Sequence, residues 1–147
     1  MDNISELSDF YKSTNVPACI FEPSLKTHAM KTITAIAERL VALVNQHQFV
    51  EAYQELYSDD AWSIDPMYPE LSPIKGLATL IDREKAFLQN VKLNAVKASA
   101  PICTDNYFSI TLSMDFIAGD NHRQVTELCV YGVKDGKILS QQFFTTV

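Results

Sequence analysis

The sequence predicts an α+β fold, with three N-terminal helices packed on one face of a strongly curved antiparallel sheet. Three observations predict it. Apolar residues recur at three- and four-residue spacing up to about residue 90 and at two-residue spacing after about residue 107. A turn signal, Asp135-Gly136, joins two of the later apolar runs as a hairpin. No linker, internal repeat or low-complexity stretch divides the 147 residues, a length that suits one domain. The element order reads helix, helix, strand, helix and then a four-strand meander, which disfavours a parallel doubly wound sheet.

Residues 1–26 mix polar residues with isolated aromatics (Phe10, Tyr11, Phe21) and two prolines (Pro17, Pro23), without a helix or strand period. They are expected to form a leader arm, leaving 27–147 as the folded domain. From Thr27, the residues Ile33, Ile36, Ala37, Leu40, Leu43, Val44 and His47 fall on one stripe of a long amphipathic helix. A short second helix follows through Phe49, Val50, Tyr53, Leu56 and Tyr57. Ser58-Asp59-Asp60 then breaks the period with turn-favouring residues. Ala61 to Asp65 reads as a short strand ended by Pro66, and Met67 to Pro73 as a loop. Ile74, Leu77, Leu80, Ile81, Phe87 and Leu88 mark a third helix reaching about Asn90. Val91 to Ala100 is the first strand of the meander.

In the next strand Phe108, Ile110, Leu112, Met114 and Phe116 alternate with Tyr107, Ser109, Thr111, Ser113 and Asp115. A strand from about Val125 to Lys134 and its partner from Ile138 to Thr146 close the chain. If the Asp135-Gly136 turn alone sets the register, Lys134 faces Lys137, Leu128 faces Phe143 and Glu127 faces Phe144. One face then carries Thr126, Leu128, Val130, Gln141, Phe143 and Thr145 and is expected to meet the helices. The other carries Glu127, Cys129, Tyr131, Ser140, Gln142 and Phe144. Neither face is wholly polar, so the outer one is expected to meet a second copy of the chain, giving a homodimer.

Charge and cysteine usage narrow the function classes. Eighteen Asp and Glu against twelve Lys and Arg give a formal charge of -6, which offers no basic surface for a phosphate backbone and argues against nucleic acid as a partner. Cys19, Cys103 and Cys129 are odd in number and lack C-x-x-C spacing, against both a disulfide framework and a thiolate metal site. His28, His47 and His122 are scattered, so no metal and no cofactor is expected. The longest apolar run, Leu40 to Val44, is far short of a membrane span of roughly 20 residues. The start, Met1-Asp2-Asn3-Ile4-Ser5-Glu6, lacks a signal-peptide pattern. The expected location is therefore the cytoplasm.

The segment Phe49 to Ala61, with Ile64-Asp65-Pro66 and Ile74-Lys75-Gly76, resembles the SnoaL-like and ketosteroid-isomerase-like families of the nuclear transport factor two-like superfamily. The ending Val130-Tyr131-Gly132-Val133-Lys134-Asp135-Gly136-Lys137-Ile138, with Gln142-Phe143-Phe144, is similar to the closing hairpin of SnoaL-like proteins. Together these cover about Thr27 to Val147. The resemblance implies a cone-shaped, cystatin-like α+β barrel with an apolar cavity for a small apolar or carbonyl-containing organic molecule. Members include isomerases, cyclases, dehydratases, hydrolases and binding modules, because fold alone does not fix function.

Residue by residue, the resemblance places Asp65 where ketosteroid isomerases carry a carboxylate base, and Tyr57 where a tyrosine supports the oxyanion network. Their alternatives are a strand-ending turn acid and a core aromatic on the second helix. The positions of the main tyrosine donor and the protonated acid fall on Leu40 and Leu128, neither of which can donate a hydrogen bond. Glu127 matches an acid common in this hairpin, yet by the register above it faces away from Leu128, as an interface or solvated residue near Arg123 or Gln142. Asp115 is either an acid at a cavity mouth or a polar residue near a strand end. Glu84 can reach the cavity opening, although Asp82-Arg83-Glu84-Lys85 also reads as a solvated helix face. Trp62 reads as core or pocket wall. The candidate ligand-binding set is Tyr53, Ser63, Glu84, Leu128, Phe143 and Glu127, with Asp65 and Tyr57 as candidate catalytic residues. Two functions follow: a cofactor-free isomerase, cyclase or dehydratase, or a ligand-binding or dimerisation module without turnover.

Overall fold

The computed structural model describes the backbone of residues 25–145 and the side chains of residues 32–145. Most of the leader arm, with Cys19 and its aromatics, and the side chain of His28 lie outside the described residues. Helix α1 (Leu25–Asn45) buries Ile33, Ile36, Ala37, Leu40, Leu43 and Val44 along the expected stripe. Each fully buried leucine of such a stripe contributes about 1.5–3 kcal/mol. His47, expected on the same stripe, lies beyond the helix end with φ 60°, in the tight turn leading to α2 (Phe49–Leu56). Arg39 clamps the two helices through paired bonds to Glu55 at 2.7 and 2.8 Å.

Tyr57 does not continue α2. It opens β1 (Tyr57–Ile64), and its backbone N–H closes the helix on the carbonyl of Tyr53. Ser58-Asp59-Asp60, expected as a turn, is a bulge inside this strand. Tyr57 pairs with Ile138 but Trp62 already pairs with Ser140, so three extra residues are accommodated on the β1 side. The chain continues through a short helical turn at Pro69–Leu71 into β2 (Ile74–Lys75), so Ile74 precedes the third helix. Gly76, at φ 93°, starts α3 (Leu77–Asn90), an angle that only glycine adopts freely.

The meander follows as β3 (Val91–Ala98), the short β4 (Ile102–Cys103), β5 (Tyr107–Ala118), β6 (Asn121–Lys134) and β7 (Lys137–Thr145). The seven strands form one sheet in the order β2-β1-β7-β6-β5-β3, with β4 also on β5. Two expectations change here. The sheet is mixed, because β1 runs parallel to β7, a pairing between chain-distant segments that no local turn announces. It also stays open, with β2 and β3 as edges, so it is curved without closing into a barrel.

The closing hairpin carries the larger correction. Asp135 and Gly136 both have positive φ, as a two-residue hairpin turn requires, and Lys134 pairs with Lys137 as expected. Between Gly132 and Val133, however, the register shifts by one. Val133 pairs with Ile138 and Gly132 with Ser140, leaving Leu139 as an extra residue on β7. Beyond it Leu128 pairs with Phe144, Cys129 with Phe143 and Glu127 with Thr145. The inward face is therefore Glu127, Cys129, Tyr131, Gln141 and Phe143, while Thr126, Leu128 and Val130 point away from the helices. A one-residue slip exchanges the faces of one strand relative to its neighbour. The slip thus puts Glu127 inside.

Candidate functional site

The helices and the concave sheet face enclose a cavity of about 610 Å³, within the range of small-molecule pockets. Its walls are largely apolar, with Leu40 and Val44 from α1, Phe49 from α2, Leu80 and Phe87 from α3, and Leu112, Met114, Phe116 and Phe143 from the sheet. Met67, Tyr68 and Leu71 border the opening. A second depression of about 450 Å³, lined by Asp59, Asp60, Lys134 and Lys137 among others, is more polar and carries no comparable network.

One polar assembly crosses the cavity wall. Gln141, 2% exposed on β7, accepts a 2.6 Å hydrogen bond from the Tyr57 hydroxyl at Oε1. Its Nε2 donates to the hydroxyl oxygens of Tyr53 at 2.8 Å and Ser63 at 3.1 Å. The Tyr57 proton is thereby committed to Gln141. Tyr53 is an acceptor in this network, so its own proton remains available to a ligand. Burial raises the pKa of both tyrosines, keeping them protonated. The rings also pack together, with centroids 4.5 Å apart.

Three carboxyl groups line the same cavity: Asp65 from the loop after β1, Glu84 from α3 and Glu127 from β6. Both oxygens of Asp65 are engaged, Oδ1 by the Met67 amide at 2.9 Å and Oδ2 by Arg83 at 3.2 Å. The guanidinium of Arg83 also lies 4.5 Å from the Tyr68 ring centroid, so the loop and α3 are tied at this point. Burial pushes the Glu84 carboxyl up to about 7; Arg83 opposes this, while Glu127 and Asp65 add to it. Burial, reinforced by Asp65, likewise pushes Glu127 up to about 7. Carboxyls tuned to this range are half-ionised near neutrality and can both give and take protons.

The sequence-derived candidates divide accordingly. Asp65, Tyr57, Tyr53, Glu84, Glu127 and Phe143 all line the cavity. Ser63 is fully buried and bound to Gln141 behind the wall. Leu128 is excluded from the cavity, since it is 44% exposed on the outer face. Leu40, the position matched to a tyrosine donor, is an apolar part of the wall. Trp62 is half-buried and lines no part of the cavity. Asp115 is not at the mouth either. It points outward and accepts bonds from Asn94, Gln124 and His122 at 2.7, 2.8 and 2.8 Å. Among the described residues no group of three His, Cys, Asp or Glu side chains is placed to hold a metal. No described helix is long and apolar enough to cross a membrane.

Sequence reasoning missed Gln141 and Arg83. Gln141 carried a signal, being a long amide at an inward position of an otherwise apolar strand. Arg83 was concealed in a charged run of which only Asp82 and Lys85 face solvent.

An α+β cone with an acid-bearing apolar cavity defines a class, and comparison with known proteins gives the family. The chain belongs to the SnoaL-like domain family, whose model matches residues 31–145. A candidate SnoaL-like polyketide cyclase from Mesorhizobium loti superposes with a TM-score of 0.72 at 21% identity, covering 76% of this chain and 97% of that one. A candidate ketosteroid isomerase from Kribbella flavida gives 0.62 at 14% identity, covering 80% of each chain. An LEH-like epoxide hydrolase from M. tuberculosis gives 0.60 at 16%, covering 82% of this chain and 84% of that one. At such identities the likeness shows the fold alone. No curated protein matches the chain.

Proposed function

We propose that the protein binds a small carbonyl-containing organic molecule in this cavity and moves protons on it without a cofactor, as an isomerase, cyclase or dehydratase does. The observation that carries this reading is the placement of Glu127 and Glu84 on opposing walls, β6 and α3, of the apolar cavity that Tyr53 also lines. In the proposed cycle the Glu127 carboxylate takes a proton from the carbon beside the carbonyl. The Tyr53 hydroxyl donates a hydrogen bond to the oxygen as negative charge develops there, and Glu84 in its neutral form returns a proton. The basic role moves from Asp65 to Glu127 because both Asp65 oxygens are already engaged. The donor role moves from Tyr57 to Tyr53 because Tyr57 donates to Gln141.

Exchange of α-hydrogens for deuterium in 2-octanone, followed by NMR in deuterated buffer, tests this without knowledge of the natural substrate. Exchange above the buffer rate is expected with the native protein, and a fall of at least about a hundredfold with Glu127→Gln. Equal exchange by both proteins would remove Glu127 from the mechanism. A second reading, a ligand-holding module without turnover, is favoured by Leu40, which leaves the wall without the donor found in ketosteroid isomerases. Binding of the ketone with no exchange supports that reading.

Two copies of the chain are further proposed to pair through the outer sheet face, where the cross-strand neighbours Leu128 and Phe144 are 44% and 49% exposed. A cytoplasmic location is proposed with the same chain, whose described cysteines, Cys103 and Cys129, are unpaired.

A further inference from the structure

We infer that the molecule taken up by this cavity is an organic anion, whose carboxylate pairs with Arg123 at the mouth while its carbonyl end lies deeper, beside Tyr53 and Glu127. The inference rests on the proton-transfer reading above and names its substrate class.

The inward row of β6 reads Arg123, Val125, Glu127, and the first and last of these carry opposite charge with an apolar residue between them. Arg123 pairs across the sheet with Phe116, a buried residue that meets Phe87 edge-on at 5.6 Å, so the guanidinium rises from an aromatic stretch of wall. Among the described residues Arg123 has no ion pair or side-chain hydrogen bond. The other arginine of the cavity is committed, since Arg83 holds Asp65 and lies over Tyr68. Arg123 is thus the cation left for a ligand, and a guanidinium keeps its charge at every working pH and matches a carboxylate with paired donors.

Electrostatics also set the direction of entry. Glu84 and Glu127 are part-buried in the cavity, where a second anion would meet like charge in a poorly solvated space, whereas Arg123 is exposed. An anionic ligand is therefore admitted with its charge outward and its neutral end inward. Four residues along a strand separate Arg123 from Glu127 by about 13 Å between Cα atoms, so a ligand spanning roughly 10–13 Å bridges them.

Octanoate and methyl octanoate share the apolar chain and differ in charge, and titration calorimetry with the full-length protein compares them. Octanoate is expected to bind the native protein at least about tenfold more tightly than Arg123→Met, with part of the affinity kept in Arg123→Lys. The ester should bind native protein and Arg123→Met alike. Octanoate binding unchanged in Arg123→Met, with the ester bound, overturns the charge assignment and leaves the cavity reading in place. Binding of neither compound to the native protein overturns both.

Discussion

The Tyr57 hydroxyl donates a 2.6 Å hydrogen bond to Oε1 of Gln141, joining the first residue of β1 to the centre of β7 across 84 positions. The same amide holds Tyr53 and Ser63 through its nitrogen. The parallel β1–β7 pairing and the polar wall of the cavity therefore share one fastening.

Replacing Gln141 by leucine keeps the approximate volume but leaves the Tyr57 proton and the Ser63 hydroxyl without this partner in a buried setting. A loss of about 2–4 kcal/mol is expected, because each stranded group costs about 1–3 kcal/mol. Tyr57→Phe removes the donor and leaves only Oε1 unpaired, so it should cost less, about 1–2 kcal/mol. Urea unfolding of the two variants checks both the size and the order.

The raised carboxyls make stability fall with pH. Glu84 and Glu127 ordinarily titrate near 4.5 and in the fold near 7, so between these values the folded state holds protons that the unfolded chain has released. Their favourable contribution is complete below about pH 4.5 and lost by the time pH has passed about 7. Glu127→Gln cannot ionise and should be more stable than the native protein at pH 8, by about 1–3 kcal/mol after allowance for solvent screening. At pH 4 the two should agree. Parallel urea titrations at the two pH values decide it, and equal stability at pH 8 counts against a desolvated Glu127.

Asp115 acts in the opposite direction. Hydrogen bonds from Asn94, Gln124 and His122 hold its carboxyl down at about 2, so its contribution is present above pH 4 and disappears as pH falls towards 2. Asp115→Asn should lower stability at neutral pH and remove this part of the acid-induced loss. Acid titration followed by circular dichroism measures it.

Leu128→Glu places a charge on the proposed pairing face and leaves the cavity untouched. Light scattering at micromolar concentration is expected to give a dimer for the native chain and a monomer for the variant. An unchanged thermal midpoint of the monomeric unit would show that the fold persists. A monomeric native protein would remove the pairing proposal.

Local periodicities were the legible part of the fold. The α1 stripe, the alternation of Phe108 to Phe116 and the Asp135-Gly136 turn each depend on neighbours a few residues apart, so the sequence displays them directly. The β1–β7 pairing depends on segments some 80 positions apart, and no turn residue signals it. The site was legible in its residue types but not in its geometry. Asp65, Tyr57, Tyr53 and Glu84 were placed at the cavity from family motifs and helix spacing. Glu127 and Leu128 were both assigned to the wrong side, because alternation was counted from the turn without the extra residue at Leu139. Arg83 and Glu84 turn inward from a run that looks uniformly solvated, since charge alone does not tell a helix face that meets water from one that meets a half-closed cavity.

Leu139 gives the protein a phase dependence. Upstream and downstream of it β7 keeps the same two-residue beat, but the beat is displaced by half a period relative to β6. Were this extra residue drawn into the ladder opposite Gly132, Gln141 would come opposite Val130 and Phe143 opposite Leu128, out of the row shared with Tyr131 and Cys129. The Tyr53–Gln141–Tyr57 wall would be dismantled by counting alone. The polar wall of the cavity is in this sense written partly as arithmetic in the backbone, and deleting Leu139, which leaves Gly132 opposite Ser140, should keep Gln141 and Phe143 inside.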